Sequence, residues 1–189
     1  MMVSHIVLAA RLAKTRYATR DPYTLCRAMD ILLLFESMGK GPGCCKGFIF
    51  KHSRVSCITL NSDLPEELQR IVLAHELGHY ILHKEKIGIR PYHDVELFDE
   101  TSTEEYQANV FAAEFLMSDA AVLEYINEDI SFFGVARALS VPPELLDFKW
   151  RLMKRDGFVF ADSPITATGD FMKSLEQHCD AAGDQEIRF

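Results

Sequence analysis

The chain has 189 residues, 48% of them hydrophobic, and a net charge of −8. That length holds one domain, or one domain with a small appendage, and the apolar fraction suffices for a sizeable core. The acidic balance excludes bulk attraction to nucleic acid or to an anionic membrane, and the longest uncharged apolar run, Ile31 to Phe35, is far too short to span a bilayer.

Met2 to Arg16 places apolar residues at helical spacing (Ile6, Leu8, Ala9, Leu12, Ala13). Its basic residues Arg11, Lys14, Arg16 and Arg20 follow the apolar patch, the reverse of a secretory signal. Asp21-Pro22 is a cap and first turn for a second helix through Met29. Ile31 to Phe35 is expected to be a buried strand, and the glycine-rich stretch Met38 to Gly47 a loop. Gly47 to His52 and Val55 to Asn61 form an antiparallel hairpin with Ser53-Arg54 as its tight turn.

Asn61 to Glu67 opens the next helix, with Ser62 or Asp63 as cap, Pro65 in the first turn, and Glu66 and Glu67 at the positive end of the dipole. From Arg70 to His83 this helix is apolar around almost its whole circumference, so it is expected to be buried. Yet it carries His75, Glu76 and His79. Residues four apart lie on one face, so the two imidazoles can aim at one point, which Ile71, Val72 and Leu82 place inside the protein. Burying such groups is costly unless something pairs them, and a divalent cation does so. His-Glu-x-x-His on a helix is the zinc-peptidase arrangement: His75 and His79 as ligands, Glu76 as general base towards the attacking water. Gly78 leaves room for a close neighbour, and His83, near the helix end, flanks or caps the site.

A third ligand must come from elsewhere. Lys84 to Thr103 is a polar connection. A helix from about Glu104 to Met117 follows, capped by Ser102 or Thr103, with Glu105 in capping-box position. Periodicity turns Glu104 and Glu105 about equally towards the apolar stripe, while Glu114 is expected to be solvated. His93, Asp94 and Asp99 on the connection are further candidates, and His93, Tyr80 and Tyr92 are candidate oxyanion donors.

Asp119 to Glu128 is another helix. A short helix, a turn at Ser140 to Pro142, and a basic helix with Lys149, Arg151, Lys154 and Arg155, ended by Gly157, form a helix-turn-helix-like pair. No function attaches to residues 158–189. The five cysteines (Cys26, Cys44, Cys45, Cys57, Cys179) are odd in number and lack a C-x-x-C pair, so reduced cytoplasmic thiols are expected.

The run Val72 to His83, followed by Glu104 to Met117, resembles the paired motif blocks of the ImmA/IrrE family of metallopeptidases. The hairpin and the segment around Ala136 to Met153 extend the resemblance over roughly residues 20–157. One departure is Ser118, where the family usually has proline. The resemblance implies an α+β fold, a minimal zincin in which a small antiparallel or mixed sheet packs on the His-Glu-x-x-His helix and on a second ligand-bearing helix. The domain is expected over residues 1–120, with a helical appendage over 121–157 and a tail over 158–189. The implied ligands are His75, His79 and Glu105, the cofactor zinc, and the general base Glu76. The implied substrate is a helix-turn-helix transcriptional repressor whose cleavage derepresses a mobile element or stress genes. Two other functions fit the sequence: a metal-binding regulator that does not cleave, and a DNA-binding regulator acting through residues 130–157.

Overall fold

A computed structural model describes residues 2–41, 43–87, 101–126 and 130–167. His93, Asp94, Asp99 and Tyr92 lie outside these described residues, as do Glu128 and the chain beyond residue 167.

The fold is α+β. In order come α1 (Met2–Arg16), α2 (Pro22–Ala28), β1 (Leu32–Glu36), β2 (Gly47–His52), β3 (Val55–Asn61), α3 (Glu66–Leu82), α4 (Thr101–Leu116), α5 (Asp119–Ile126), α6 (Phe132–Ala138) and α7 (Pro143–Arg155). The sheet has the order β1-β3-β2. β2 and β3 form the expected hairpin, antiparallel, with Ser53 at φ 57 in its turn. β1 joins the other side of β3 in parallel, so the sheet is mixed.

Local chemistry sets several of these ends. Asp21 caps α2, accepting from the amides of Tyr23 and Thr24. Ser131 caps α6, accepting from Gly134 N at 3.1 Å. Ser118 accepts from Ala121 N at 3.2 Å and so serves the first turn of α5, which gives the departure from proline a structural use. Buried Asn61 fastens the loop before β2: its amide donates to Gly39 O and Cys45 O, both at 2.9 Å, and its oxygen accepts from Met38 N and Asp63 N.

Several expectations need correction, and α1 needs a finer description. β1 is not a buried strand. It is an edge strand with Leu32 and Phe35 each 48% exposed, because it pairs on one side only, with β3, while α3 packs on β2 and β3. Asp63 and Ser62 do not cap α3. Pro65 precedes its first residue without a side-chain cap, and the Asp63 carboxylate instead accepts from Ser37 Oγ (2.7 Å) and Gly39 N (2.8 Å). α4 is already helical at Thr101, ahead of the expected cap at Ser102 or Thr103. Leu8 and Leu12 of α1 point outward, while Ile6, Ala10 and Ala13 face the core against α4.

The largest departure is Glu114. It is buried, not solvated, because α4 is enclosed by α3 on one side and by α1 and α7 on the others. Its carboxylate accepts from Lys149 Nζ (2.7 Å) and Arg11 Nε (2.9 Å), with Lys14 Nζ at 3.4 Å. Lys149, fully buried, also pairs with Asp119. One carboxylate therefore ties α1, α4 and α7 together. Breaking a buried pair from one side leaves an uncompensated charge. Glu114→Ala should lower unfolding stability by about 3–5 kcal/mol in urea denaturation. A loss below about 1 kcal/mol would contradict the assigned role of this node.

Candidate metal centre

α3 and α4 are the two walls of the site. A Cβ on Gly78 would come within 3.1 Å of both Cα and O of Ala108 and 3.2 Å of Phe111 Cβ. The room at Gly78 is thus filled by the backbone of α4. This contact brings Glu105, one turn before Asn109 on α4, opposite His75 and His79 of α3.

His75 is 2% and His79 0% exposed. Their Nε2 atoms face each other at 3.0 Å, and the rings meet edge to face. Glu105 Oε2 lies 3.1 Å from His75 Nε2, and Oε1 lies 3.4 Å from His79 Nε2. These are the spacings expected for donors around one small cation. Zinc ligands at about 2.0–2.1 Å in a tetrahedron stand about 3.3 Å apart. Among the described residues, His75, His79 and Glu105 are the group able to hold a metal ion. Glu105 keeps 12% of its side chain exposed, so the group lies just below the surface.

The protonation states agree with that use. Asn109 Oδ1 lies 2.8 Å from His75 Nδ1. An amide oxygen only accepts, so Nδ1 carries a hydrogen in this contact and Nε2 is the ring nitrogen turned to the site. Burial holds the His79 imidazole below its ordinary pKa, outweighing the Glu105 hydrogen bond, and so favours the neutral, ligating form. Burial alone would raise the Glu105 carboxyl. Donation and positive charge from the His75 and His79 rings, when these are protonated, overcome it and hold the carboxyl well below the usual carboxylate range.

Glu76 is 1% exposed and shares a face of α3 with Val72 and His79. That face looks towards the start of β2, where a Cβ on Gly47 would sit 2.7 Å from Val72 Cγ1. Cys45, just before β2, interacts electrostatically with Glu76, and burial is the main cause of its raised pKa. Glu104 turns away from the histidines to an ion pair with Lys86. The sequence reading gave no role to Asn109 or Cys45. Asn109 was marked by its place one turn from Glu105 on the same face; nothing in the spacing marked Cys45.

The IrrE N-terminal-like domain model, a peptidase family, matches residues 26–151. The chain belongs to that family. The match spans β1 to α7 and takes in every residue of the site. Similar proteins include the uncharacterized immunity region protein 2 of Bacillus phage phi105, 30% identical over 134 residues that cover 71% of this chain and 82% of that protein. Metallopeptidase ImmA of Bacillus subtilis is 28% identical over 139 residues, covering 70% and 76% respectively.

Asn109→Ala should weaken zinc binding by about 10–100-fold, measured by competition with a chelating dye, because it frees the His75 tautomer. Unchanged affinity would contradict the orienting role of Asn109.

Proposed function

We propose that this protein is a zinc-dependent endopeptidase that cleaves a helix-turn-helix transcriptional repressor in the cytoplasm and so derepresses a mobile element or stress genes. The carrying observation is the convergence of His75, His79 and Glu105 on one point, with buried Glu76 one residue along α3. In this reading residues 1–120 form the zincin-like peptidase domain and 121–157 its helical appendage.

The donor set fits zinc: two imidazole nitrogens and one carboxylate, leaving a position for water or substrate. When bound, zinc lowers the pKa of water towards about 7 and polarises a carbonyl. Glu76 takes the proton of the attacking water and hands it to the leaving amine. Asn109 fixes the His75 ring, and Glu105 stays ionised as a ligand. The open edge of β2 offers main-chain groups to an extended peptide, and it is the edge next to the site, since Gly47 lies against Val72, one turn before Glu76. β1, the other edge, is separated from it by β3.

The family and the metallopeptidase named among the relatives support proteolysis, and the relative from a phage immunity region supports a role tied to a mobile element. The free Cys26, Cys44, Cys45 and Cys57 suit a reducing compartment, and no helix among the described residues is long and apolar enough to cross a membrane.

DNA contact through residues 130–157 loses its main attraction. Lys149 is buried between Glu114 and Asp119, Arg151 pairs with Asp147 (3.0 Å), Lys154 with Asp162, and Arg155 with Asp156 (3.3 Å). Each of these cations of α7 already has an acidic partner within the chain.

Co-expression with a helix-turn-helix repressor from a neighbouring reading frame, followed by mass analysis, tests the activity. The wild type should yield two defined fragments, and Glu76→Gln should retain zinc but leave the repressor whole. Full cleavage by Glu76→Gln would refute the role of Glu76, and an uncut repressor with the zinc-loaded wild type would favour the non-cleaving metal-binding regulator.

A further inference from the structure

Adjacent acids open α4, and they do different things. Glu105 faces the histidines, whereas Glu104 is held by the end of α3 in two ways. Its carboxylate pairs with Lys86, and the His83 ring hydrogen-bonds its main chain. His83 closes α3, its amide bonded to His79 O at 2.8 Å, and its ring stands 5.8 Å from that of His79. The two histidines are one turn apart, so His83 continues the ligand face of α3 towards α4. Lys86 is fixed in turn, its amide bonded to His83 O at 2.8 Å.

We propose that His83 and Lys86 are positioning residues: they clamp the first turn of α4 through Glu104 and so set the Glu105 carboxylate on the His75–His79 pair. The proposal rests on the reading of those three residues as the metal ligands. Its physical basis is the geometry of a helix end. The first turn of α4 follows a long connection and lacks the full set of intrahelical bonds, so it frays unless held. The Gly78–Ala108 contact fixes the rotation of α4 about one turn further on, but it does not fix Glu104 itself. A ligand carboxylate one residue beyond a fraying first turn loses entropy on binding. Tying the adjacent residue to α3 removes part of that loss before the cation arrives. The clamp also accounts for the division of labour between neighbouring acids. Glu104 and Glu105 project about 100° apart, so holding Glu104 against the tip of α3 turns Glu105 to its face.

The test is a double-mutant cycle read as zinc affinity of the full-length apoprotein, by competition with a chelating dye. Zinc alone is the probe. His83→Ala combined with Lys86→Ala should weaken binding about tenfold. In a Glu105→Ala background the same pair should change affinity less than twofold, because the ligand that the clamp sets is gone. Lys86→Arg, which keeps the ion pair with Glu104, should stay within about twofold of wild type. Thermal melting of each apoprotein separates a local effect from global unfolding. Two results overturn the proposal: wild-type affinity in the clamp variant, or a tenfold loss that persists without Glu105, which would mean that His83 acts on the metal directly. A wild type that takes up no zinc, or that binds it equally well as Glu105→Ala, would overturn the metal-site reading and not the clamp alone.

Discussion

Three donors that lose water on folding must be satisfied by one another or by a cation. His75, His79 and Glu105 share that constraint, and much of the structure is arranged to meet it. Two imidazole nitrogens face each other at 3.0 Å with a carboxylate beside them, three groups that each hold a lone pair when deprotonated. Such a cluster is tolerable in a core when a divalent ion supplies the missing charge. The protein makes it rigid from outside: Asn109 behind His75, the Glu104 contacts beside Glu105, and burial around His79.

The pairing of α3 with α4 supplies the geometry. Gly78 is a poor helix former, costing about 1 kcal/mol relative to alanine. Its return is the approach of Ala108, whose backbone would lie 3.1 Å from any Cβ placed there. A larger residue would push α4 outward and carry Glu105 away from the histidines. Below this contact, the Glu114 node holds the far end of α4 against α1 and α7. α4 is thus anchored along its length, and α7 contributes packing and countercharge to it.

The His75–His79 pair was legible because helical geometry alone fixes i and i+4 on one face. The hairpin and the turn at Ser140 were legible for a similar reason: short-range chemistry dictates them, and Ser53 and Ser140 both adopt φ above +50°. What escaped was set by distant packing. Glu104 and Glu105 stand symmetrically about the apolar stripe, so only the rotation of α4 against α3 separates them. Glu114 looks solvated on an isolated helix, yet α1 and α7 cover it and bring its cations. The run Leu32-Leu33-Leu34-Phe35 looked like core, but it ends up at a sheet edge with Leu32, Leu34 and Phe35 exposed. Asp63 had the composition of a cap, and the loop before β2, through Ser37 and Gly39, took its carboxylate instead.

The central claim is that two imidazoles from α3 and one carboxylate from α4 bind a single zinc ion. X-ray absorption at the zinc edge of the loaded, full-length protein tests it most directly. The account predicts a four-coordinate shell of nitrogen and oxygen at about 2.0–2.1 Å, with the outer-shell signature of two imidazoles. A shell containing sulfur at about 2.3 Å, or one without imidazole, would contradict it.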